Sequence, residues 1–403
     1  MPLLTTALVL LCFVGPLSTD MYLPAFPRMA AELGTDAPGV QLTLTAFLVG
    51  MVLGHLVFGP LSDRYGRRGP LLCGTVVCAV ATCLCAVAPS SAWLTGLRLV
   101  AGFSGAAGVV ISRAVVSDVT EGPAAARLFG ILMTLSGTAP VLAPLAGGAV
   151  IGAAGWRGVF WVLTGVALVV ALGVAAGIPE SLPPHRRERG GGGHLLRTLR
   201  EVVSDRAYVG HTLTFSFGFG ALFCYIAGAP FVLRYVLGLG VGASSVAFAG
   251  GAVATTLSSA VSARLVGTGA PPGRLLRGGL YAMLTATSAL LAVAVAGALT
   301  LPVYVSLTAT ACAGLGLVMA NAASLALARV PHAAGTASAL LGTAQSALGA
   351  LVAPLVGLAG PDTAVPVFAG MTVCTALALL AARTATGKTG TAPVRAGAVQ
   401  PRA

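Results

Sequence analysis

The chain has 403 residues, of which 57% are apolar and only 8% charged; an ordinary soluble domain carries roughly 25% charged residues. So few charges cannot wet the surface of a soluble body this size, which excludes a water-soluble enzyme, a coiled coil, a disordered chain and a nucleic-acid binder. The net charge of +12 sits in short loops between apolar runs, so it reads as membrane topology rather than as affinity for nucleic acid.

A bilayer-crossing helix takes about 20 apolar residues, so the chain has room for about twelve. Residues 2–19 carry no charge. They lack the basic n-region and the small-residue cleavage site of a signal peptide, so they read as the first span, with a start codon upstream of Met1 as a further expectation. In chain order the charge-poor runs are 3–25, 39–62, 69–88, 92–116, 127–151 and 157–178, then 207–236, 242–264, 275–297, 301–325, 335–358 and 363–383. The longest polar stretch lies between the two sixes. It holds Pro183-Pro184, the run from Arg186 to Arg189 and four glycines at 190–193, the composition of a flexible linker. The expected organisation is a six-helix bundle over 1–178, a cytoplasmic linker over 179–206, a second six-helix bundle over 207–383 and a cytoplasmic tail over 384–403.

Orientation follows from counting Lys and Arg in the loops. With the N-terminus in the cytoplasm, inside loops and the tail hold 18 basic residues and outside loops hold three, Arg28, Arg157 and Arg234. Both termini are therefore expected inside. The halves also read as a repeat. Ser62-Asp63-Arg64 followed by Gly69-Pro70-Leu71-Leu72 has a counterpart in Ser262-Ala263-Arg264 followed by Gly273-Arg274-Leu275-Leu276. Two repeated halves predict a carrier whose site lies between them. The eight cysteines all fall in apolar runs without metal spacing. The five histidines form no i, i+4 pair. No nucleotide-binding or catalytic cluster is found, so no cofactor is expected and the energy source should be an ion gradient.

The most specific signal is Gly59-Pro-Leu-Ser-Asp63-Arg64-Tyr-Gly66-Arg67-Arg68-Gly-Pro-Leu71. It resembles the G-x-L-x-D-R-x-G-R-R-x-x-L loop between the second and third helices of the major facilitator superfamily. The resemblance implies an all-α membrane protein of twelve helices in two bundles. In that fold Asp63 lies near the start of the eleventh helix, at Gly335-Thr336, where a carboxylate is favoured by the helix dipole. Arg67 can pair with Asp118. Such contacts act in the family as a conformational latch, here Gly59, Asp63, Arg64, Gly66, Arg67, Arg68 and Asp118. The plainer alternative is a set of positive-inside anchors.

A narrower resemblance is to the Bcr/CflA drug-resistance carriers. It rests on Pro16 to Pro27 with Asp20-Met21-Tyr22-Leu23-Pro24, on Ile111-Ser112-Arg113 through Asp118, and on Gly335-Thr336-Ala-Ser338 through Gln345. It implies proton-driven export of bicyclomycin, chloramphenicol and other small compounds across the bacterial inner membrane by a monomer. Helix five reads Ala139-Pro140-Val-Leu-Ala143-Pro144-Leu-Ala-Gly147-Gly148. It resembles the family's antiporter motif, with alanine for the early glycines; prolines bend a membrane helix and small residues allow close packing.

Two charges lie inside the spans. Asp20 is about seven residues beyond the middle of helix one, or about 10 Å at 1.5 Å per residue. Arg98 is at matching depth in helix four. It resembles the arginine of the superfamily's R-x-x-Q-G motif, with Ala101 for glutamine. A charge in the bilayer needs a partner or water. Asp20 is expected to carry the coupling proton, with Arg98 occupying it between protons; a static pair, or Asp20 at the outer surface, are the alternatives. The expected substrate cavity holds Tyr22, Tyr225, Asn321 and Gln345, with His55, Phe215, Phe219 and Phe223 as weaker candidates, which suits a moderately apolar small molecule. The reading is a secondary active exporter of drug-like molecules working by proton antiport and alternating access, with an exporter or importer of a metabolite or amino acid as the alternative. Its partners are the small molecule, protons and the lipid bilayer.

Overall fold

The computed structural model describes residues 2–119, 122–183, 199–330, 334–356, 360 and 362–386. The central part of the expected linker and the tail beyond 386 lie outside them. The described chain is almost wholly helical. α1 is Pro2–Asp20, followed by a 3-10 turn at Leu23–Ala25 and the short α2, Phe26–Glu32. α3 is Ala37–Tyr65, α4 Arg68–Ala86, α5 Ser91–Val119 and α6 Gly122–Gly177. The second half holds α7, Arg206–Phe231, which runs on as a π turn to Val236, then α8, Val241–Gly267, and α9, Pro272–Val295. α10 is Leu301–Arg329, α11 Ala334–Val356 and α12 Val365–Thr386.

Local chemistry sets several of these ends. Asp36 accepts a hydrogen bond from the Gly39 N–H at 2.8 Å and starts α3; Asp205 does the same for Tyr208 at 2.7 Å and starts α7. Such caps satisfy backbone donors that a helix start leaves open. Gly66 ends α3 at φ 96° and Gly155 breaks α6 at φ 69°, backbone that only glycine adopts without strain. Gly155 thereby divides α6 into two arms. Ten helices among the described residues are long and apolar enough to cross a membrane, including the stretch Ala143–Gly177.

Packing repeats from half to half. In the first, α3 packs on α5, α1 on α6, and α4 on both α5 and α6; in the second, α8 packs on α10, α7 on α12, and α9 on both α10 and α12. The sequence repeat thus has a packing counterpart. Between halves, α3 meets α11 and α6 meets α8. The named contacts across that seam cluster toward the end that carries Tyr22. Phe26 meets Phe231 with ring centroids 6.2 Å apart, Gln41 reaches Ala227, and Gly349 lies against Leu48 and Phe223.

Candidate functional site

Arg98 is nearly inaccessible, at 1% exposure. One Nη donates to the Ser18 carbonyl at 2.8 Å, and the guanidinium carbon lies 4.5, 4.2 and 6.0 Å from the ring centroids of Tyr22, Phe47 and Phe160. Its Nε is buried with no hydrogen-bond partner. Rings within about 6 Å hold a cation through their quadrupole, so the charge is caged by π faces and one carbonyl. Asp20 is also buried, at 6% exposure, two residues beyond Ser18 on the same helix. The expected ion pair between them is not found among the described residues: the two groups occupy one region, and Arg98 instead takes the backbone carbonyl that α1 offers. The aromatic side of this cage was not read from the sequence, because Phe47 and Phe160 come from α3 and from the second arm of α6.

The loop between α3 and α4 is a charged clasp with Arg67 at its centre. Arg67 Nε donates to Asp118 Oδ2 at 3.0 Å, joining the loop to α5 as expected. Its Nη1 donates to Ser62 Oγ at 2.8 Å and also binds the Asp63 carboxylate. Burial alone would lower the Arg67 pKa, but Asp118 and Asp63 hold it above the ordinary arginine value. Arg68 donates to the Ala175 carbonyl near the end of α6 at 2.8 Å, and Arg64 lies over the ring of Tyr65. The Gly59 carbonyl accepts from Ser62. Asp63 is thus engaged by Arg67, while the side chains of 331–335, at the start of α11, lie outside the described residues.

Two members of the clasp come from the stretch assigned to the linker. Glu180 accepts the backbone N–H of Arg67 at 2.8 Å and of Leu182 at 3.1 Å, and Ser181 donates to Asp118 at 2.9 Å. The first residues after α6 therefore belong to the first bundle. A carboxylate at the start of α4 meets unpaired N–H groups there. The one available signal was an acidic residue directly after an apolar run.

Motif residues in the first arm of α6 also find their places. A Cβ at Gly147 would overlap the Met21 carbonyl, and one at Gly148 would overlap Ser245 on α8. Both glycines are therefore demanded by close approach, the second across the seam between the halves. Pro144 is buried. The side chain of Pro140, like that of Arg113, lies outside the described residues.

The expected cavity residues divide. Tyr22 is fully buried beneath Arg98, its hydroxyl 3.2 Å from Thr43 Oγ1. Tyr225 stacks on Phe248 of α8 at 5.2 Å, inside the second bundle. Asn321 is buried and donates to Ser262 Oγ and to the Leu317 carbonyl, both at 2.7 Å. These three are packed between helices here rather than lining an open space; an amide or a phenol in an apolar bundle is held where it finds a partner. Gln345 alone of the four is half-buried and makes no hydrogen bond among the described residues.

A third polar cluster escaped the sequence reading. Glu32 accepts from Trp156 Nε1 at 2.7 Å, from Arg28 at 2.9 Å and from Arg157 at 3.2 Å, tying α2 to the turn at Gly155. Desolvation would raise its pKa, but the Trp156 hydrogen bond and the two arginines hold it below the ordinary glutamate value.

The fold, the Arg67 clasp and the two buried charges invite comparison with known carriers. The profile of the Major Facilitator Superfamily matches residues 8–354. The chain belongs to the major facilitator superfamily. It is 36% identical over 374 residues to an uncharacterised transporter of the superfamily, YdgK, from Bacillus subtilis, covering 92% of each chain. It is 30% identical over 372 residues to a bicyclomycin resistance protein homolog from Haemophilus influenzae, covering 92% of this chain and 93% of that one. A D-xylose-proton symporter structure shares the fold, with a TM-score of 0.76 at 14% identity over 96% of this chain and 97% of that one. This superfamily chain is a multi-pass transporter of the bacterial inner membrane, not an enzyme, and small molecules are its substrates.

Proposed function

We propose that this transporter exports small drug-like molecules in exchange for protons, by alternating access between two six-helix halves. Counting α1 and both arms of α6 as spans gives twelve, and the distribution of arginines supports a cytoplasmic location for both termini and the Arg67 clasp. On this reading the end that carries Tyr22, Gln41 and Phe231 faces outward, and the contacts across the seam there support a state closed to the outside. The kinship with a bicyclomycin resistance protein homolog supports drug export as the direction of work.

The observation that carries the proton coupling is the burial of Asp20 beside a caged Arg98 that does not neutralise it. A carboxylate in an apolar interior is costly while charged. Its charging and neutralisation can therefore follow the opening of the bundle to water, while Arg98, held by Ser18 and three rings, stays fixed. The test is drug accumulation in inverted vesicles energised by a pH gradient, with bicyclomycin and chloramphenicol as probes. Wild type should accumulate drug in the acid lumen while protons leave it, so that adding drug makes the lumen less acid; Asp20→Asn should insert normally and lose at least tenfold of gradient-driven uptake. Full gradient-driven uptake by Asp20→Asn would remove Asp20 from the coupling.

A further inference from the structure

We infer that Gln41 is the latch that registers the two halves at their closed outer end, and that its bond to α7 breaks and re-forms once in each transport cycle. The inference rests on the alternating-access reading above and adds the residue that holds its outward side shut.

Gln41 lies one turn into α3, at 1% exposure. Its Nε2 donates to the Ala227 carbonyl of α7 at 3.0 Å, a fully buried bond between residues 186 apart in sequence. Other contacts at this seam are apolar or steric: Phe26 against Phe231, and Gly148 against Ser245. Such contacts resist separation but tolerate sliding. A hydrogen bond between a side chain on one half and a main-chain atom on the other does not, because its strength falls steeply with distance and angle. Gln41 therefore supplies the register that the apolar surfaces lack.

Gln41 faces a small space between the halves lined by Ala37, Gly228, Phe231, Val232, Val356 and Thr363. The bond to Ala227 is a single neutral hydrogen bond, and such a bond exchanges protein partners for water at a modest net cost. It is strong enough to register the closed seam and weak enough to release when the seam opens and both groups are hydrated.

The test uses the full-length chain in lipid nanodiscs, with its native cysteines replaced and spin labels at Ala31→Cys and Ala298→Cys, both exposed on the outer side of opposite halves. Wild type should show a short and a long distance whose ratio responds to pH and to chloramphenicol. Gln41→Asn, which keeps the amide but is one methylene too short to reach Ala227, should raise the open-to-closed ratio about three- to tenfold, the loss of one net hydrogen bond. Gln41→Ala, which removes the bond without placing a new apolar side chain in the seam, should shift it the same way and serves if the asparagine variant folds poorly. A ratio unchanged in both variants, with a responsive wild type, overturns the latch and leaves alternating access standing. A wild-type distance that never changes overturns both.

Discussion

The two halves are built on one packing plan, yet they close their corresponding corners by different chemistry. At the corner between α3, α4 and α5, Ser62 sits beside Arg67, which binds Asp63 and Asp118 while Glu180 takes its backbone N–H. At the matching corner of the second half, Ser262 accepts a single neutral hydrogen bond from Asn321 of α10. Charges stand at the α7 side of that half instead, where Arg329 meets Asp205 at 3.2 Å. A buried amide–hydroxyl pair between two helices of the same half has no reason to part as the halves move. A cluster of ionised groups at a water-exposed loop can exchange partners at low cost, since water stabilises each intermediate arrangement. The charged corner is thus suited to move and the neutral one to stay.

That contrast can be broken experimentally, and the largest effect is expected at Arg67. Arg67→Gln leaves Asp63 and Asp118 facing each other without a countercharge. Removing one partner of a buried pair costs up to about 3–5 kcal/mol; the partial exposure of Asp63 brings the expectation to about 2–3 kcal/mol. Thermal unfolding of the purified protein, followed by tryptophan fluorescence, should fall by several degrees, with export reduced tenfold or more. A variant as stable and active as wild type would make the clasp ornamental. Next in size is the neutral corner. Asn321→Leu should lose about 1–3 kcal/mol by leaving Ser262 without its donor. Adding Ser262→Ala should restore part of the loss, and neither change should alter the pH dependence of transport.

Acid should separate charged from neutral corners more gently. Glu32 and Asp205 both hold pKa values below their ordinary ones, Asp205 because the Tyr208 N–H and Arg329 outweigh its desolvation. A carboxylate whose pKa is depressed on folding contributes its full stability above the ordinary carboxylate range, near about 4, and loses it as pH falls through the folded value. The unfolding temperature should therefore decline on acidification below that range, and Glu32→Gln should flatten the decline. Smallest of all is Arg329→Ala, which breaks a largely exposed pair and should cost at most about 1 kcal/mol in the same unfolding assay. A much larger loss there would shift the moving corner to the second half.

Some of this was legible in the residues and some was not. The clasp between Arg67 and Asp118 was, because the loop resembles the superfamily motif whose arginine takes part in such contacts. The glycines of α6 were recognised as packing residues, but their partners, Met21 and Ser245, were not, since nothing local to α6 points to either. Asn321 shows the limit from the other side. A polar residue in an apolar span advertises a function, yet it serves equally well as a clasp once a hydroxyl on the next helix lies within reach.

What the sequence alone determined is set by transfer energies: a chain this apolar, with so few charges, enters the bilayer as a series of helices. What only the tertiary structure decided is which polar groups meet. Asp20 and Arg98 are both buried, but the guanidinium found the Tyr22 ring just after α1, rings from α3 and α6, and a backbone carbonyl instead of the carboxylate. Partner choice in a low-dielectric interior depends on distances of an ångström or less between different helices, and no linear pattern of residues carries that information.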